Sequence, residues 1–176
     1  MDEQLFLLFP ELNEFKDLDL KAKTMEVWKR AMVEGGWEVA DLLAMPFTLL
    51  IDQTPINIID HTRAVTRTAL EIARAMKGVY GDRININQDI LLAGALLHDV
   101  GKLFEFEKSG GKFKKSRSGN LLRHPFSGAV FAARFGLPEE VLHIIACHSK
   151  EGDGRRATVE AIIINHADFV NFEPFK

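Results

Sequence analysis

The stretch Gln88-Asp89-Ile90-Leu91-Leu92-Ala93-Gly94-Ala95-Leu96-Leu97-His98-Asp99-Val100-Gly101-Lys102 decides the fold of this 176-residue chain. Asn87, just ahead of it, is a helix-capping residue, and Ile90 to Leu97 is apolar on every side. A helix with no polar face belongs in the middle of a bundle. This is the longest apolar run in the chain, and it falls well short of the roughly 20 residues a membrane span needs. It ends on His98-Asp99, an imidazole and a carboxylate carried to the end of a core helix. Buried charge of that kind must be neutralised, either by a divalent cation or by a helix-capping role beside Gly101.

On either side, turn residues divide the chain into helical lengths. Leu20 to Glu34 carries apolar residues at Ala22, Met25, Val27, Trp28, Met32 and Val33 and stops at Gly35-Gly36. Trp37 to Ala44 predicts a short second helix. Thr54-Pro55 predicts a capped start for a helix over 55–77, with Val65, Ala69, Ile72 and Met76 on one stripe and His61 on the same face. Helices are also expected over 125–135, 138–149 and 158–170. Between Phe104 and Lys114, aromatic and charged residues alternate across Gly110-Gly111, which predicts a β-hairpin with Glu facing Lys. The fold class is therefore all-α, a helical bundle with a small β-hairpin insertion after His98-Asp99. Length and composition fit one domain of ordinary size, organised as an N-terminal helical extension or cap over 1–53 and a main domain over 54–176.

The chain has six histidines and one cysteine, Cys147. Disulfide frameworks, thiolate zinc sites and iron–sulfur clusters are thereby excluded, and any metal chemistry must run on imidazole and carboxylate. The formal charge of −3 excludes a polycation that coats nucleic acid. The acidic start Met1-Asp2-Glu3 does not resemble a signal peptide, and a cytoplasmic location without membrane association is expected.

Besides His98-Asp99, four polar residues fall on faces that should be buried. His61 opens its stripe, His124 precedes Pro125 at a helix start, His148 follows Val141 and Ile144, and Asp168 follows Ala161 and Ile164. Helical phase sets the other histidines aside, at about 100° per residue. His143 points roughly 140° away from His148 and reads as surface. His166 points about 200° away from Asp168 and reads as a packing or hydrogen-bonding residue. Ser127 lacks a nucleophile-elbow context, Cys147 sits among apolar neighbours, and Gly110-Gly111-Lys112 lacks the spacing of a phosphate-binding loop.

The ordered set His61, His98-Asp99, His124, His148, Asp168 resembles the signature of the HD-domain superfamily of metal-dependent phosphohydrolases, in the subset that holds two metals. The flanking Leu96-Leu97-His98-Asp99-Val100-Gly101-Lys102 and His124-Pro125-Phe126-Ser127-Gly128 carry the resemblance further, and Thr158 to Asp168 is similar to the last helix of ribonuclease Y. The resemblance implies that His61, His98, Asp99 and Asp168 bind a first ion, and that Asp99 bridges to a second held by His124 and His148. It also implies that Lys102 helps to hold a substrate phosphate. His148 is followed by Ser149, and no Gly-Tyr-Pro occurs, so the cyclic-di-GMP phosphodiesterases of the superfamily are a poor match.

Nitrogen and oxygen donors suit one or two divalent transition-metal ions, Mn, Fe, Co, Ni or Zn. The implied function is hydrolysis of a phosphomonoester or phosphodiester in a nucleotide or short nucleic acid, by attack of a metal-bridging hydroxide, with Asp99 and Lys102 as catalytic residues. The alternative is a non-catalytic HD module that binds a nucleotide ligand or protein partner and keeps a structural metal. Lys108, Lys112, Lys114, Lys115, Arg117 and Arg123 crowd the segment between Asp99 and His124. They form either a solvated hairpin paired with Glu105 and Glu107 or an electropositive rim, extended by Arg155-Arg156, that draws in a phosphate-containing small molecule or nucleic-acid end. For residues 1–53 a cap or a homodimer contact is expected.

Overall fold

A computed structural model describes residues 2–176. The α-helices are α1 (Asp2–Leu8), α2 (Leu18–Gly35), α3 (Val39–Ala44), α4 (Ile58–Tyr80), α5 (Gln88–Leu97), α6 (Lys102–Glu105), α7 (Arg117–Leu121), α8 (His124–Ala132), α9 (Glu139–Cys147) and α10 (Val159–Phe172). Strands β1 (Phe106–Ser109) and β2 (Lys112–Lys115) form an antiparallel hairpin between α6 and α7. The fold is all-α apart from this hairpin, as the sequence predicts.

α5 is the central helix, and every residue from Ile90 to Leu97 is buried. It packs against α2, α4, α9 and α10. Gly94 permits this density, since a Cβ there would lie 2.5 Å from Ile144 Cδ1 and 3.1 Å from Ile164 Cδ1. Asn87 caps α5 as expected, its side chain accepting from Asp89 N and Ile90 N.

The N-terminal segment joins the same core. Trp28, 1% exposed, donates its indole N–H to Leu96 O at 2.9 Å, and Trp37 donates to Leu103 O at 2.7 Å. These bonds hold α2 and the turn that follows it against the two ends of the His98-Asp99 turn. α1 and the short α7 have no counterpart in the sequence reading. α7 is set by Ser116, whose hydroxyl accepts from Gly119 N at 2.8 Å and donates to Phe104 O at 2.7 Å.

Several boundaries differ from expectation, three of them for reasons visible in the structure. α4 starts at Ile58, not at Pro55, and its cap is Asn57, whose side chain accepts from Asp60 N. Pro46 and Asn57 form an antiparallel bridge, with Phe47 N bonded to Ile56 O and Ile58 N to Met45 O. This pairing holds 56–57 extended and delays the helix. α4 then runs past Gly78 to Tyr80 and is closed by Gly81 at φ 58°. Phe104 and Glu105 lie in α6 rather than in the hairpin, because the chain turns helically once more after Gly101. In the hairpin itself the Glu-to-Lys facing is as predicted, with Glu107 opposite Lys114 and a 3.1 Å ion pair between them. Among the described residues no helix is long and apolar enough to cross a membrane.

Candidate metal centre

The polar residues singled out above converge from five helices. His61 lies in the first turn of α4, His98 ends α5, His124 starts α8, His148 ends α9, and Asp168 lies in α10. Asp99 follows His98 in the turn between α5 and α6. Gly101 makes the approach of α8 feasible, because a Cβ at that position would overlap the His124 carbonyl.

Asp99 is at the centre, 2% exposed. Its Oδ2 lies 3.3 Å from His98 Nε2 and 3.6 Å from His61 Nε2, while its Oδ1 lies 3.3 Å from His124 Nε2 and 3.7 Å from His148 Nε2. One carboxylate thus presents each oxygen to a different histidine pair. Asp168 joins the first pair through His61, with 3.0 Å between Oδ1 and Nε2. Two groups have ligand atoms close enough to share an ion: His61 with His98 and Asp99, and Asp99 with His124 and His148.

Hydrogen bonds on the far side of three rings set their tautomers. His98 Nδ1 lies 2.6 Å from Ala95 O, and His148 Nδ1 lies 2.8 Å from Ile145 O. A carbonyl can only accept, so both Nδ1 atoms carry the proton and both Nε2 atoms of the neutral rings present a lone pair to Asp99. Each bond returns to the carbonyl three residues back in the same helix. His124 Nδ1 is held instead by Glu105 Oε2 at 2.6 Å, and the same oxygen accepts from His124 N at 2.7 Å.

The donor set fits a divalent cation. With Nδ1 of His124 and His148 both committed as donors, their Nε2 lone pairs face each other at 3.3 Å with Asp99 Oδ1 beside them. Such an arrangement of acceptors repels itself unless a cation or proton lies among them. His98 Nε2 is wholly buried and makes no hydrogen bond despite its proximity to Asp99.

Electrostatics hold the carboxylates charged. Burial opposes ionisation of Asp99, but Lys102 and His98 outweigh it and hold the carboxyl well below its ordinary range. Asp168 falls to about 2, as the His61 hydrogen bond together with the His98 and His61 charges overcomes burial. Glu105 also falls to about 2 against burial, through its bonds to His124. Burial lowers His124 to about 4 and lowers His61 as well, which favours the neutral, metal-binding rings. Burial opposes protonation of His98, but the charge and close contact of Asp99, with Asp168 and Ala95 O, together outweigh it and move the ring up.

A cavity of about 370 Å³ opens onto this cluster. Lys102 is buried, its Nζ 2.5 Å from both Asp99 Oδ2 and Phe47 O, and it borders the cavity. Of the basic segment, Lys115 and Arg123 line the cavity, each 3.6 Å from Glu105 Oε1. Lys150 lines it too. Lys114 is tied to Glu107, Lys108 reaches Asp41 at 2.6 Å, and Lys114 and Arg117 are exposed away from the cavity lining. Arg156 does not extend a rim, for its guanidinium turns back to Ser149 O at 2.6 Å and Asp153 Oδ1 at 3.0 Å.

Two histidine readings need correction. His143 is half-buried rather than surface, and its Nε2 accepts from Ala157 N at 2.9 Å, tying α9 to the loop before α10. His166 points away from the centre as its phase requires, but it is exposed rather than packed. Glu105 escaped the sequence reading because hairpin alternation placed it opposite a lysine. The available signal was its position three residues after Lys102, one helical turn on. Phe47, Phe169 and Phe172 also line the cavity, and nothing in the sequence separated them from ordinary core residues.

Residues 58–170 match the HD domain family. The chain is 35% identical over 114 residues to a dihydroneopterin 2′,3′-cyclic phosphate phosphodiesterase of Methanocaldococcus jannaschii, covering 64% of this chain and 45% of that protein. It is 32% identical over 96 residues to ribonuclease Y of Acidothermus cellulolyticus, covering 54% of this chain and 17% of the relative. A 38% identity over 77 residues links it to ribonuclease Y of Thermobifida fusca, covering 44% and 13% respectively. The chain thus spans less than half the length of these curated relatives. No solved structure matches it significantly. With its match spanning most of the chain and every histidine and aspartate of the centre inside or bordering that span, the chain belongs to the HD domain family.

Proposed function

We propose that this chain is a metal-dependent phosphohydrolase acting on a nucleotide-like phosphate ester. The observation that carries the reading is the division of Asp99, whose two buried oxygens face two different histidine pairs. In this reading His61, His98, Asp99 and Asp168 hold one ion, and Asp99, His124 and His148 hold another. The nitrogen and oxygen donors suit Mn, Fe, Co, Ni or Zn. Such ions, when bound, supply Lewis acidity to a phosphoryl oxygen and lower the pKa of a water molecule.

The chain's own groups have definable tasks. Ala95 O, Ile145 O and Glu105 fix the three rings so that Nε2 faces inward, and orientation of this kind raises ligand basicity. Lys102 keeps Asp99 ionised and offers its ammonium group to a substrate phosphate at the cavity floor. Lys115, Arg123 and Lys150 supply positive charge at the walls. Phe47 and the helices around it keep water from the buried side of His61, their rings 4.5 Å apart. The segment 1–53 acts as a cap on an HD domain over 54–176, a role supported by the two tryptophan bonds to the ends of the His98-Asp99 turn. The relatives are named for phosphodiester substrates, a cyclic phosphate in one case and RNA in the other, and a phosphodiester is accordingly the first class to assay.

Metal content of the purified protein, together with Mn²⁺-supported hydrolysis of bis(p-nitrophenyl) phosphate, p-nitrophenyl phosphate and nucleoside 2′,3′-cyclic phosphates, tests the proposal. Bound metal and turnover far above an Asp99→Ala control are expected. Stoichiometric metal with no turnover above that control would reject the enzyme in favour of a binding module.

A further inference from the structure

The cavity has two unlike sides. One is the Asp99 cluster with its basic border, and the other is apolar and aromatic, built from Phe47, Leu49, Leu50, Phe169 and Phe172. Phe47 is 1% exposed and locked in place, its ring 4.5 Å from His61 and edge-on to Phe172 at 6.0 Å and 69°. Phe172 and Phe169 are only half-buried and border open cavity. Ring-to-ring steps of 4.5 Å from His61 to Phe47 and 6.0 Å from Phe47 to Phe172 join this wall to the cluster.

An apolar wall next to a charged centre has no use in binding inorganic phosphate or a bare sugar phosphate, whose surfaces are polar throughout. It suits a ligand with a flat, weakly hydrated end. The cavity volume of about 370 Å³ falls at the small end of small-molecule sites, about 300–1,000 Å³. That is room for one nucleotide unit rather than for several stacked bases. Phe47, Leu49, Leu50 and Phe172 all lie outside residues 58–170, the span that matches the HD family. The wall is therefore brought to the common centre by this chain's own flanking segments. Those are the 46–57 loop, pinned by the Pro46–Asn57 bridge, and the end of α10.

We propose that this wall is a stacking subsite for the nitrogen heterocycle of a mononucleotide-sized substrate, with Phe172 as the principal contact, while the phosphate lies at the Asp99 cluster. The inference rests on the phosphohydrolase reading and names its substrate class. Stacking of a base on an aromatic ring is sequence-tolerant and is lost when the ring is removed.

The test compares binding of AMP, GMP, CMP and UMP with ribose 5-phosphate, by calorimetry on the metal-loaded protein. The ligands share the phosphate and ribose and differ in the heterocycle. At least one nucleotide should bind about tenfold more tightly than ribose 5-phosphate, and Phe172→Ala should erase that difference while leaving ribose 5-phosphate binding unchanged. Phe172→Tyr should keep it. Phe172→Leu, which preserves apolar packing without the ring face, guards against a folding artefact and should behave as the alanine variant does, with an unchanged melting temperature. If all four nucleotides bind no better than ribose 5-phosphate, or if the leucine variant keeps the full preference, the stacking subsite is overturned. A base-dependent preference in a protein that hydrolyses nothing would instead overturn the phosphohydrolase reading and leave the subsite standing.

Discussion

The ligand cluster and the cavity mouth are neighbours built in opposite ways. In the cluster each side chain lies at or near a helix end, and two rings are fixed by the carbonyl three residues back, His98 by Ala95 and His148 by Ile145. The placement is local, since helix geometry and one hydrogen bond decide where the ring points. At the mouth Phe47, Lys115, Arg123, Lys150 and Phe172 come from a loop, a hairpin, a helix start, a turn and a helix end. Nothing local aims them at one another. The cluster can be kept in register by short-range rules while the mouth varies, and the chemistry and the choice of substrate therefore reside in separable parts of the chain.

The largest effect should come from Asp99→Ala, since Asp99 is the single residue common to both histidine pairs. Loss of both ions is expected, along with a fall in hydrolysis of roughly a thousandfold or more, the several kcal/mol that Lewis-acid stabilisation supplies. Metal analysis and turnover number check this. Retention of one equivalent of metal would break the claim that the cluster is organised around one bridging carboxylate.

His148→Ala and His61→Ala sharpen the comparison within the cluster. Each should cost one ion of the two, and the remaining ion should differ between the variants, because the pairs meet different oxygens of Asp99. Metal titration of both, read with Co²⁺ absorption, distinguishes the sites. Identical spectra from the two variants would contradict a two-sided Asp99.

Glu105→Gln comes next. Glutamine keeps a carbonyl oxygen for His124 Nδ1 but removes the charge that orients and polarises the ring. A 10- to 100-fold loss of metal affinity on the His124 side is expected, with the His61 side unchanged. Chelator competition measures it.

How far the sequence revealed these parts follows from the same contrast. His61, His148 and Asp168 could be read because each sits at helical spacing from apolar residues that fix the buried face, and His98-Asp99 because it ends a helix with no polar side. The flanking Gly101-Lys102 completed the family resemblance. Glu105 was lost because an alternating charged and aromatic run reads equally well as a strand that begins two residues early, at Phe104. The 55–77 helix was begun too soon, since Thr54-Pro55 is a sound local cap signal and only the pairing of Asn57 with Pro46, eleven residues back, overrides it. Phe47 and Phe172 were invisible for a simpler reason. A phenylalanine in a helical protein is core by default, and only tertiary placement turns one toward a cavity. The six basic residues from Lys108 to Arg123 were legible as a group but not individually, because hairpin register decides which of them are consumed by Glu107 or Asp41.

That division yields the smallest effect and the one most specific to the mouth. Arg123 lies 3.6 Å from Glu105 and 3.7 Å from Glu151, and its side chain is 43% exposed on the cavity wall. Exposed charge of this kind steers an anionic substrate over a distance of about a Debye length, roughly 10 Å at 0.1 M salt, and contributes little to chemistry once the substrate is bound. Arg123→Ala, and Lys115→Ala beside it, should each raise KM by a few fold at low ionic strength with kcat nearly unchanged, and the difference from wild type should shrink as salt is added. Lys114→Ala and Arg117→Ala, whose side chains are exposed outside the cavity lining, should change neither constant. If Lys114→Ala matched Arg123→Ala, the attraction would belong to the net charge of the whole segment, and the mouth would then be no more locally defined than the chain's overall charge. If Arg123→Ala instead lowered kcat with KM unchanged, the residue would act on the reacting phosphate itself, and the separation between cluster and mouth would have to be redrawn to place it inside the cluster.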